Sequence, residues 1–203
     1  MAKRASTATS GVPIAVVIAG PNGAGKSTAA PRLLQGALGV VEFLNADLIA
    51  RGLSPFDPDG AALAASDVMI RRMEALAAAS VSFGLETTLA ARTLAPRLKT
   101  LVAAGYEFHL VFLYLPSSDL AVARVADRVR LGGHDIPEHT IRRRYRQGLK
   151  NFFDLYRPIA ATWQMLDNSQ AGRMDLIAAG RLTRTTRVAQ KQLWRRIQQE
   201  FGT

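Results

Sequence analysis

The sequence of 203 residues has no cysteine and only three histidines, at His109, His134 and His139. Disulfides and thiolate metal sites are therefore excluded, and so few histidines do not indicate a zinc centre. No apolar run approaches the ~18 residues that a membrane-spanning helix needs, and the N-terminal segment lacks the apolar stretch of a secretory signal. These absences predict a cytoplasmic protein that does not enter a membrane, with a flexible tail at residues 1–12 and a single domain at residues 13–203.

Acidic residues are also scarce, because 16 Asp and Glu stand against 26 Lys and Arg, for a formal net charge of +10. Most of the basic residues are arginine, whose planar guanidinium binds phosphate as a fork. The excess therefore indicates an anionic partner. It is concentrated in residues 124–146 and 173–196, and composition alone does not decide between a nucleotide and a nucleic acid.

Short apolar runs alternate with amphipathic segments along the chain. Strands are predicted at 14–19, 40–45, 80–86, 107–115, 162–166 and 174–179. Helices are predicted at 26–34, 61–80, 93–104, 118–132, 138–157 and 188–201. This alternation predicts an α/β fold of the P-loop NTPase type, in which a parallel sheet has helices on both faces. We expect a nucleoside-kinase-like arrangement with a helical lid, and ligands beyond the carboxyl ends of the strands.

A glycine-rich motif follows the first predicted strand. It has the pattern of Gly, four residues, Gly, Lys and Ser that holds the phosphates of a nucleoside triphosphate. Backbone N–H groups of such a loop point at phosphate oxygens, the lysine reaches the β- and γ-phosphates, and the next hydroxyl ligates Mg²⁺. The motif therefore predicts ATP and Mg²⁺ as ligands, with Ser27 on the metal. The residues predicted to bind the nucleotide are Gly20, Pro21, Asn22, Gly23, Ala24, Gly25, Lys26, Ser27 and Thr28.

Two carboxylates follow predicted strands at the edge of the sheet where this loop lies. Asp47 follows the second strand, and we predict that it accepts the proton of a substrate hydroxyl that attacks the γ-phosphate. The alternative is that Asp47 only caps a helix starting at Leu48. Glu86 ends the third strand, and its carboxylate, followed by Thr87 and Thr88, is more typical of substrate or Mg²⁺-water binding than of packing.

Residues 124–146 contain seven arginines on two predicted helices that flank the pair Gly132-Gly133. Such a segment is typical of a kinase lid, whose arginines stabilise the phosphoryl group during transfer. Consecutive arginines at Arg142, Arg143 and Arg144 point about 100° apart on a helix, so they cannot all meet one phosphate. We predict that two of the seven arginines are catalytic and that several others form a solvated face.

Other conspicuous side chains near the lid are interpreted as structural. We expect His134 and His139 to be loop and cap residues, because phosphoryl transfer needs little proton chemistry beyond one base. The aromatic residues that follow recur at helical spacing and are expected in the core rather than in a base-stacking platform. They are Tyr145, Phe152, Phe153 and Tyr156.

Taken in their order along the chain, these motifs resemble the zeta toxin family. The set comprises the phosphate loop, Asn45-Ala46-Asp47, Glu86-Thr87-Thr88, the segment Arg130-Leu-Gly-Gly-His-Asp-Ile-Pro137, the arginine helix and Asp167-Asn168-Ser169. Characterised members are kinases that use ATP and Mg²⁺ to phosphorylate the 3′-hydroxyl of the amino sugar in UDP-N-acetylglucosamine. The resemblance implies the same reaction class, a sugar nucleotide as substrate, and a protein antitoxin as a partner to look for.

The resemblance also implies roles for single residues. Lys26 and Ser27 match the ATP and Mg²⁺ ligands of the family and Asp47 matches its base. Glu86 with Thr88 matches the substrate-binding strand end, and Asn45, Asp47 and Thr87 are predicted to bind substrate with them. The lid arginines that fit best, thirteen residues apart, are Arg130 and Arg143, with Arg128 and Arg144 as alternates.

Two alternatives remain open from the residues alone. A P-loop kinase of another sugar, a nucleotide or a nucleic-acid end would use the same chemistry on a different acceptor. A nucleic-acid-binding ATPase would instead use the positive charge to follow a phosphate backbone. The arginines cluster beside the predicted lid without a recognition motif, and Tyr145, the aromatic residue among them, is expected in the core, which favours a small-molecule substrate over a nucleic acid.

Overall fold

Seven strands form one sheet in the computed structural model, which describes residues 11–36, 39–170 and 172–202. The strands are β1 (Ile14–Ala19), β2 (Glu42–Leu44), β3 (Phe83–Thr87), β4 (Glu107–Tyr114), β5 (Thr162–Asp167), β6 (Asp175–Arg181) and β7 (Arg184–Val188). They are ordered β2-β3-β1-β4-β5-β6-β7. The predicted tail at residues 1–12 lies outside the described residues except for its last two positions.

Seven α-helices surround the sheet within the described ranges. They are α1 (Lys26–Pro31), α2 (Ala46–Leu53), α3 (Ala62–Ala78), α4 (Leu94–Ala103), α5 (Ser118–Arg130), α6 (Glu138–Asn151) and α7 (Lys191–Phe201). Ser117 caps α5 by accepting a hydrogen bond from the backbone N–H of Leu120 at 3.1 Å. Pro31 has no N–H to donate, and α1 widens directly after it into a π-helical turn at Arg32–Gly36.

The first five strands are parallel, which confirms the predicted fold class. β1 lies between β3 and β4, with Ile18 beside Glu86 on one side and Val111 on the other. This register brings the carboxyl ends of β1, β2 and β3 to one edge of the sheet. The phosphate loop leaves β1 at that edge, where ligands of such folds bind.

The C-terminal part differs from the prediction. β6 and β7 are antiparallel to their neighbours, and β7 was not predicted from the sequence. Its residues Arg184–Val188 are mostly exposed because β7 is an edge strand, so they lack an apolar run. The helix predicted at 138–157 ends at Asn151 and continues as a π-helical turn, Phe152–Tyr156, and a 3₁₀ turn, Arg157–Ile159.

Aromatic side chains join the last helix to the sheet. Trp163 of β5 and Trp194 of α7 stack with ring centroids 5.5 Å apart and an interplanar angle of 22°. Phe152 meets Trp163 edge-on at 5.7 Å, and its fully buried ring confirms the prediction that the aromatic residues of this segment belong to the core. Trp163 also donates its indole N–H to the carbonyl oxygen of Leu182 at 2.9 Å. No helix of the described residues is long and apolar enough to span a bilayer.

Candidate active site

The phosphate loop adopts a conformation that only glycine permits at its key positions. Gly20 has φ +144°, and a Cβ there would lie 2.4 Å from the carbonyl oxygen of Leu113. Gly25 has φ +76°, and a Cβ there would lie 2.9 Å from Nδ2 of Asn168. Side chains at either position would therefore strain the backbone and collide with neighbouring residues. The loop leads directly into α1, whose N-terminus faces the same edge of the sheet.

Lys26 is buried in this loop, with 7% of its surface exposed. Its ammonium group donates to the carbonyl oxygen of Pro21 at 3.0 Å. Burial lowers the pKa of Lys26 below its ordinary value, the charges of Glu86 and Asp47 oppose that shift, and those of Arg128 and Arg144 add to it. All four charged side chains therefore lie within electrostatic reach of Lys26.

Glu86 is the hydrogen-bonding centre of the site. Its carboxylate accepts from the hydroxyl of Ser27 at 2.9 and 3.1 Å and from the amide of Asn45 at 2.8 Å. Lys26 Nζ lies 3.9 Å from the same carboxylate, whose side chain is only 10% exposed. The strand end of β3 thus holds together the loop, the start of α1 and the end of β2. A carboxylate so deeply buried is stabilised by these charged and polar partners.

Asp47 lies in the first turn of α2 and is exposed. The helix is capped by Asn45, whose Oδ1 accepts from the backbone N–H groups of Asp47 and Leu48 at 2.9 and 3.1 Å. The alternative interpretation of Asp47 as the cap is therefore wrong, because the helix begins two residues earlier than expected, at Ala46, and Asn45 performs that role. The carboxylate of Asp47 remains available to a ligand beside Lys26.

The two threonines after Glu86 shape the loop that follows β3. Thr87 Oγ1 accepts from the backbone N–H of Leu89 at 3.1 Å, and Thr88 Oγ1 accepts from that of Ala90 at 3.4 Å. Both hydroxyls are half-buried and occupied within their own turns. Their predicted role in substrate binding stays a prediction. Thr28, the last residue of the motif, is exposed on α1.

The residues of the loop fit a phosphate ligand with a divalent cation. Oδ1 of Asn22 is buried without a hydrogen-bond partner, although buried polar atoms are normally paired. Ser27 and Glu86 offer hydroxyl and carboxylate oxygens, the ligands that Mg²⁺ prefers. Within the described residues, no group of three or more His, Asp or Glu side chains could hold a metal ion by itself. Such an ion would therefore depend on phosphate oxygens and water for most of its ligands.

The lid arginines fall into two groups in the structure. Arg130 is exposed over 77% of its side chain and pairs with Asp127 three residues earlier, and Arg143 is also exposed. Arg128 and Arg144 are half-buried, and their charges act on Lys26. Arg128 donates from Nη2 to the carbonyl oxygen of His134 at 2.7 Å, while its Nε is buried without a partner. Burial and charge therefore distinguish Arg128 and Arg144 from Arg130 and Arg143, and the catalytic role of either pair stays a prediction.

Arg142 has a structural role that explains how α6 is rotated about its own axis. Its guanidinium bonds to Ser118 at 3.0 Å, to Asp119 at 2.5 Å and to Glu138 at 2.7 Å. The contacts with Ser118 and Asp119 attach α6 to the start of α5, and the hydrogen bonds to Glu138 and Asp119 raise the pKa of Arg142. With this arginine turned towards α5, the next two positions on α6 are rotated by about 100° and 200° from it.

Arg124 was not predicted to have a role of its own. It donates to the carbonyl oxygens of Asn168 at 2.8 Å, Ser169 at 2.6 Å and Gly23 at 3.5 Å. Asn168 in turn donates from Nδ2 to the carbonyl oxygen of Ala24 at 2.7 Å. This brace joins α5, the end of β5 and the phosphate loop. No local sequence signal identifies it, because Arg124 is separated from Gly23 by 101 positions.

Comparison with known proteins identifies a related family and related folds. The family described as an AAA domain matches residues 16–150 of this chain. An uncharacterised protein of Haemophilus influenzae is 30% identical over 131 residues, which cover 64% of this chain and 91% of that protein. Two thirds of the chain, including the phosphate loop, Glu86 and the lid, thus lie within the matched family region.

Two solved complexes have similar folds at low sequence identity. The complex of AvrRxo1-ORF1 with AvrRxo1-ORF2 and sulphate ions has a TM-score of 0.70 at 14% identity, and a structure of the same pair with ATP has 0.68. The match covers 93% of this chain but only 64% of that chain, so this chain spans less than two thirds of its length. The PezAT chromosomal toxin–antitoxin system of Streptococcus pneumoniae has a TM-score of 0.64 at 16% identity, covering 95% of this chain and 80% of that chain.

Proposed function

The chain belongs to the AAA domain family, and on that premise we propose that it is an ATP-dependent kinase, a phosphotransferase with an alcohol group as acceptor. The observation that carries the proposal is the arrangement around Glu86. Lys26 and Ser27 of the loop meet this carboxylate at 3.9 and 2.9 Å, and the exposed Asp47 acts on Lys26 electrostatically. A phosphate-binding loop and a free carboxylate at one edge support phosphoryl transfer. We assign this activity to residues 13–203 as one kinase domain, with a lid at about 124–146.

The phosphate donor would be held by the loop. Backbone N–H groups of residues 20–28 and the buried ammonium of Lys26 would neutralise the β- and γ-phosphate oxygens. The structure with ATP of the AvrRxo1 complex, a protein of similar fold, supports ATP as the donor. Ser27 and Glu86 would hold Mg²⁺, directly or through water. When bound, this ion neutralises phosphate charge and bridges the phosphate oxygens.

Asp47 would act as the general base. Its carboxylate would take the proton of the acceptor hydroxyl while the hydroxyl oxygen forms a bond to the γ-phosphorus. The bond between the γ-phosphorus and the bridging oxygen breaks in the same step, and ADP leaves. Asp47 is exposed, and Asn45 rather than Asp47 caps the helix. The carboxylate of Asp47 therefore has no structural contact among the described residues. Arg128 and Arg144 would stabilise the charge on the phosphoryl group during transfer.

UDP-N-acetylglucosamine is the acceptor that we propose. The resemblance of the ordered motifs to the zeta toxin family supports it. The similar fold of a toxin–antitoxin system of Streptococcus pneumoniae bears on a protein partner rather than on the acceptor. The same comparison adds a protein antitoxin to the proposal as an inhibitory partner. Because ATP and sugar nucleotides are cytoplasmic metabolites, we propose that the chain acts in the cytoplasm.

A screen of sugar nucleotides with γ-labelled ATP tests this function. Transfer of label to UDP-N-acetylglucosamine, with none in Lys26→Met, is the expected result. Transfer to another sugar or nucleotide would support the kinase activity but would contradict UDP-N-acetylglucosamine as the acceptor. Hydrolysis of ATP that responds to nucleic acid and loses this response steeply with salt would contradict the kinase and favour a nucleic-acid-binding ATPase. If the chain is a toxin, its expression should arrest the growth of the host cell, and expression of Lys26→Met should not.

A further inference from the structure

We propose that Asp59 and His134 are positioning residues, which tie the loop between α2 and α3 to the loop between α5 and α6 and thereby fix the position of Arg128. The contact that carries this inference joins His134 Nε2 to Asp59 Oδ1 at 3.1 Å. One loop follows the helix of Asp47, and the other is the hinge of the lid. The inference rests on the proposed function, because it assigns these residues to the same phosphoryl-transfer site.

Asp59 is presented by a turn that is itself fixed. Asp57 Oδ1 accepts from the backbone N–H of Gly60 at 3.0 Å, and the carbonyl oxygen of Asp59 accepts from Ala62 N at the start of α3 at 3.1 Å. A Cβ on Gly60 would lie 2.2 Å from Asp57 Oδ2, so this turn packs closely around its glycine. The carboxylate of Asp59 therefore projects from a backbone that is held on both sides.

His134 connects this turn to Arg128. Its imidazole can donate from Nε2 to the carboxylate whether neutral or protonated, and its carbonyl oxygen accepts from Arg128 Nη2 at 2.7 Å. The backbone N–H of Gly133 donates to the carbonyl oxygen of Arg128 at 2.9 Å. A Cβ on Gly133 would lie 2.5 Å from Cγ of Arg128. The hinge backbone thus lies directly against the arginine and determines where its guanidinium points.

These contacts do more than join the two loops, because they also determine the position of Arg128. Arg128 uses Nη2 for the carbonyl oxygen of His134, and its buried Nε has no hydrogen-bond partner, so the contact with His134 is what orients the guanidinium. Its charge already acts on Lys26. Moving the loop between α2 and α3 would displace His134, and through its carbonyl oxygen would displace Arg128. The position of the loop between α2 and α3 is in this way transmitted to an arginine that we propose acts on the phosphoryl group.

The first experiment measures the activity of Asp59→Ala, of His134→Ala and of the variant that combines the two. The control is Asp67→Ala, which removes an exposed carboxylate of α3 outside this contact. We expect kcat to fall by up to about five-fold in the first three, because an exposed ion pair contributes this order of effect. The KM for ATP should stay unchanged, since the loop and Lys26 are intact. The double variant should lose no more than either single variant. Additive losses, or losses equal to that of Asp67→Ala, would overturn the link.

A distance measurement makes the test independent of catalysis. The chain has no cysteine, so spin labels attach only where Phe56→Cys and Leu131→Cys introduce thiols, and both positions are exposed on the two loops. In the labelled chain that keeps Asp59, we expect one narrow distribution of distances between the labels. In the labelled chain that carries Asp59→Ala, we expect a broader distribution or a longer mean distance. An unchanged distribution would overturn the proposal. If the chain transferred no phosphate to any acceptor, the proposed function would fail, and the distance measurement alone would decide the loop contact.

Discussion

Replacing single lid arginines by alanine tests which of them act on the phosphoryl group. We expect Arg128→Ala and Arg144→Ala to abolish most of the activity, whereas Arg130→Ala and Arg143→Ala should leave it nearly intact. Arg128 is thus compared with Arg130 on α5, and Arg144 with Arg143 on α6, so the residue type and the helix are matched in each comparison. The structural reason is that the charges of Arg128 and Arg144 act on the buried Lys26, while Arg130 is 77% exposed and paired with Asp127.

The expected magnitudes differ by orders of magnitude. An arginine that stabilises the transferring phosphoryl group contributes about 10³–10⁵-fold in rate, or ~4–7 kcal/mol of transition-state stabilisation. An exposed ion pair such as that of Arg130 with Asp127 contributes at most about five-fold. If the guanidinium of Arg128 acts mainly in the transition state, its loss should lower kcat far more than it raises the KM for ATP.

The assay is acceptor-dependent transfer of labelled phosphate, with thermal unfolding measured on each variant. Arg142→Ala is a useful control, because it removes the contacts of α6 with Ser118 and Asp119 and should lower the thermal stability of the protein. Comparing it with Arg144→Ala separates loosening of the lid from loss of a phosphate ligand. Equal and mild effects across the whole set would refute the reasoning, and so would larger losses in Arg130→Ala and Arg143→Ala than in their neighbours.

Three further predictions concern the rest of the site. Asp47→Asn should keep thermal stability, because Asn45 caps the helix, but lose about 10²–10⁴-fold in turnover; normal turnover would remove Asp47 as the base. Burial lowers the pKa of Lys26 and phosphate favours its protonated form, so ATP affinity measured by calorimetry should fall as pH rises through that pKa. Lys26→Met should remove this pH dependence. Gly25→Ala should lower the melting temperature and ATP affinity, since φ is +76°, whereas Gly52→Ala, which has open space around it, should not.

The phosphate loop could be predicted from the sequence because its residues lie together in one short motif. Gly20, Lys26 and Ser27 need only the preceding strand and the following helix to reach their positions. The alternation of apolar runs and helical segments was sufficient for the fold class, since it reflects local periodicity. The β7 strand lacked this signal, because an exposed edge strand does not need apolar residues.

Which of the lid arginines are half-buried and which are exposed could not be predicted from the sequence. It depends on the rotation of α6 about its own axis, which the contacts of Arg142 with Ser118 and Asp119 determine across a separation of more than twenty residues. The same limit applies to Arg124, whose role appears only when α5 lies beside the phosphate loop. Glu86 shows the intermediate case. Its place at a strand end was predicted, but its hydrogen bonds to Ser27 and Asn45 needed the sheet order.

The stacked tryptophans have a practical consequence for spectroscopy. The chain has two tryptophans, and both lie in the contact between β5 and α7. Intrinsic fluorescence will therefore report the docking of α7 on the sheet, and the stacked indoles should add a coupled signal to the far-ultraviolet circular dichroism. A melting curve followed by intrinsic fluorescence measures the C-terminal packing, so ligand binding at the phosphate loop has to be followed with an introduced probe or by calorimetry.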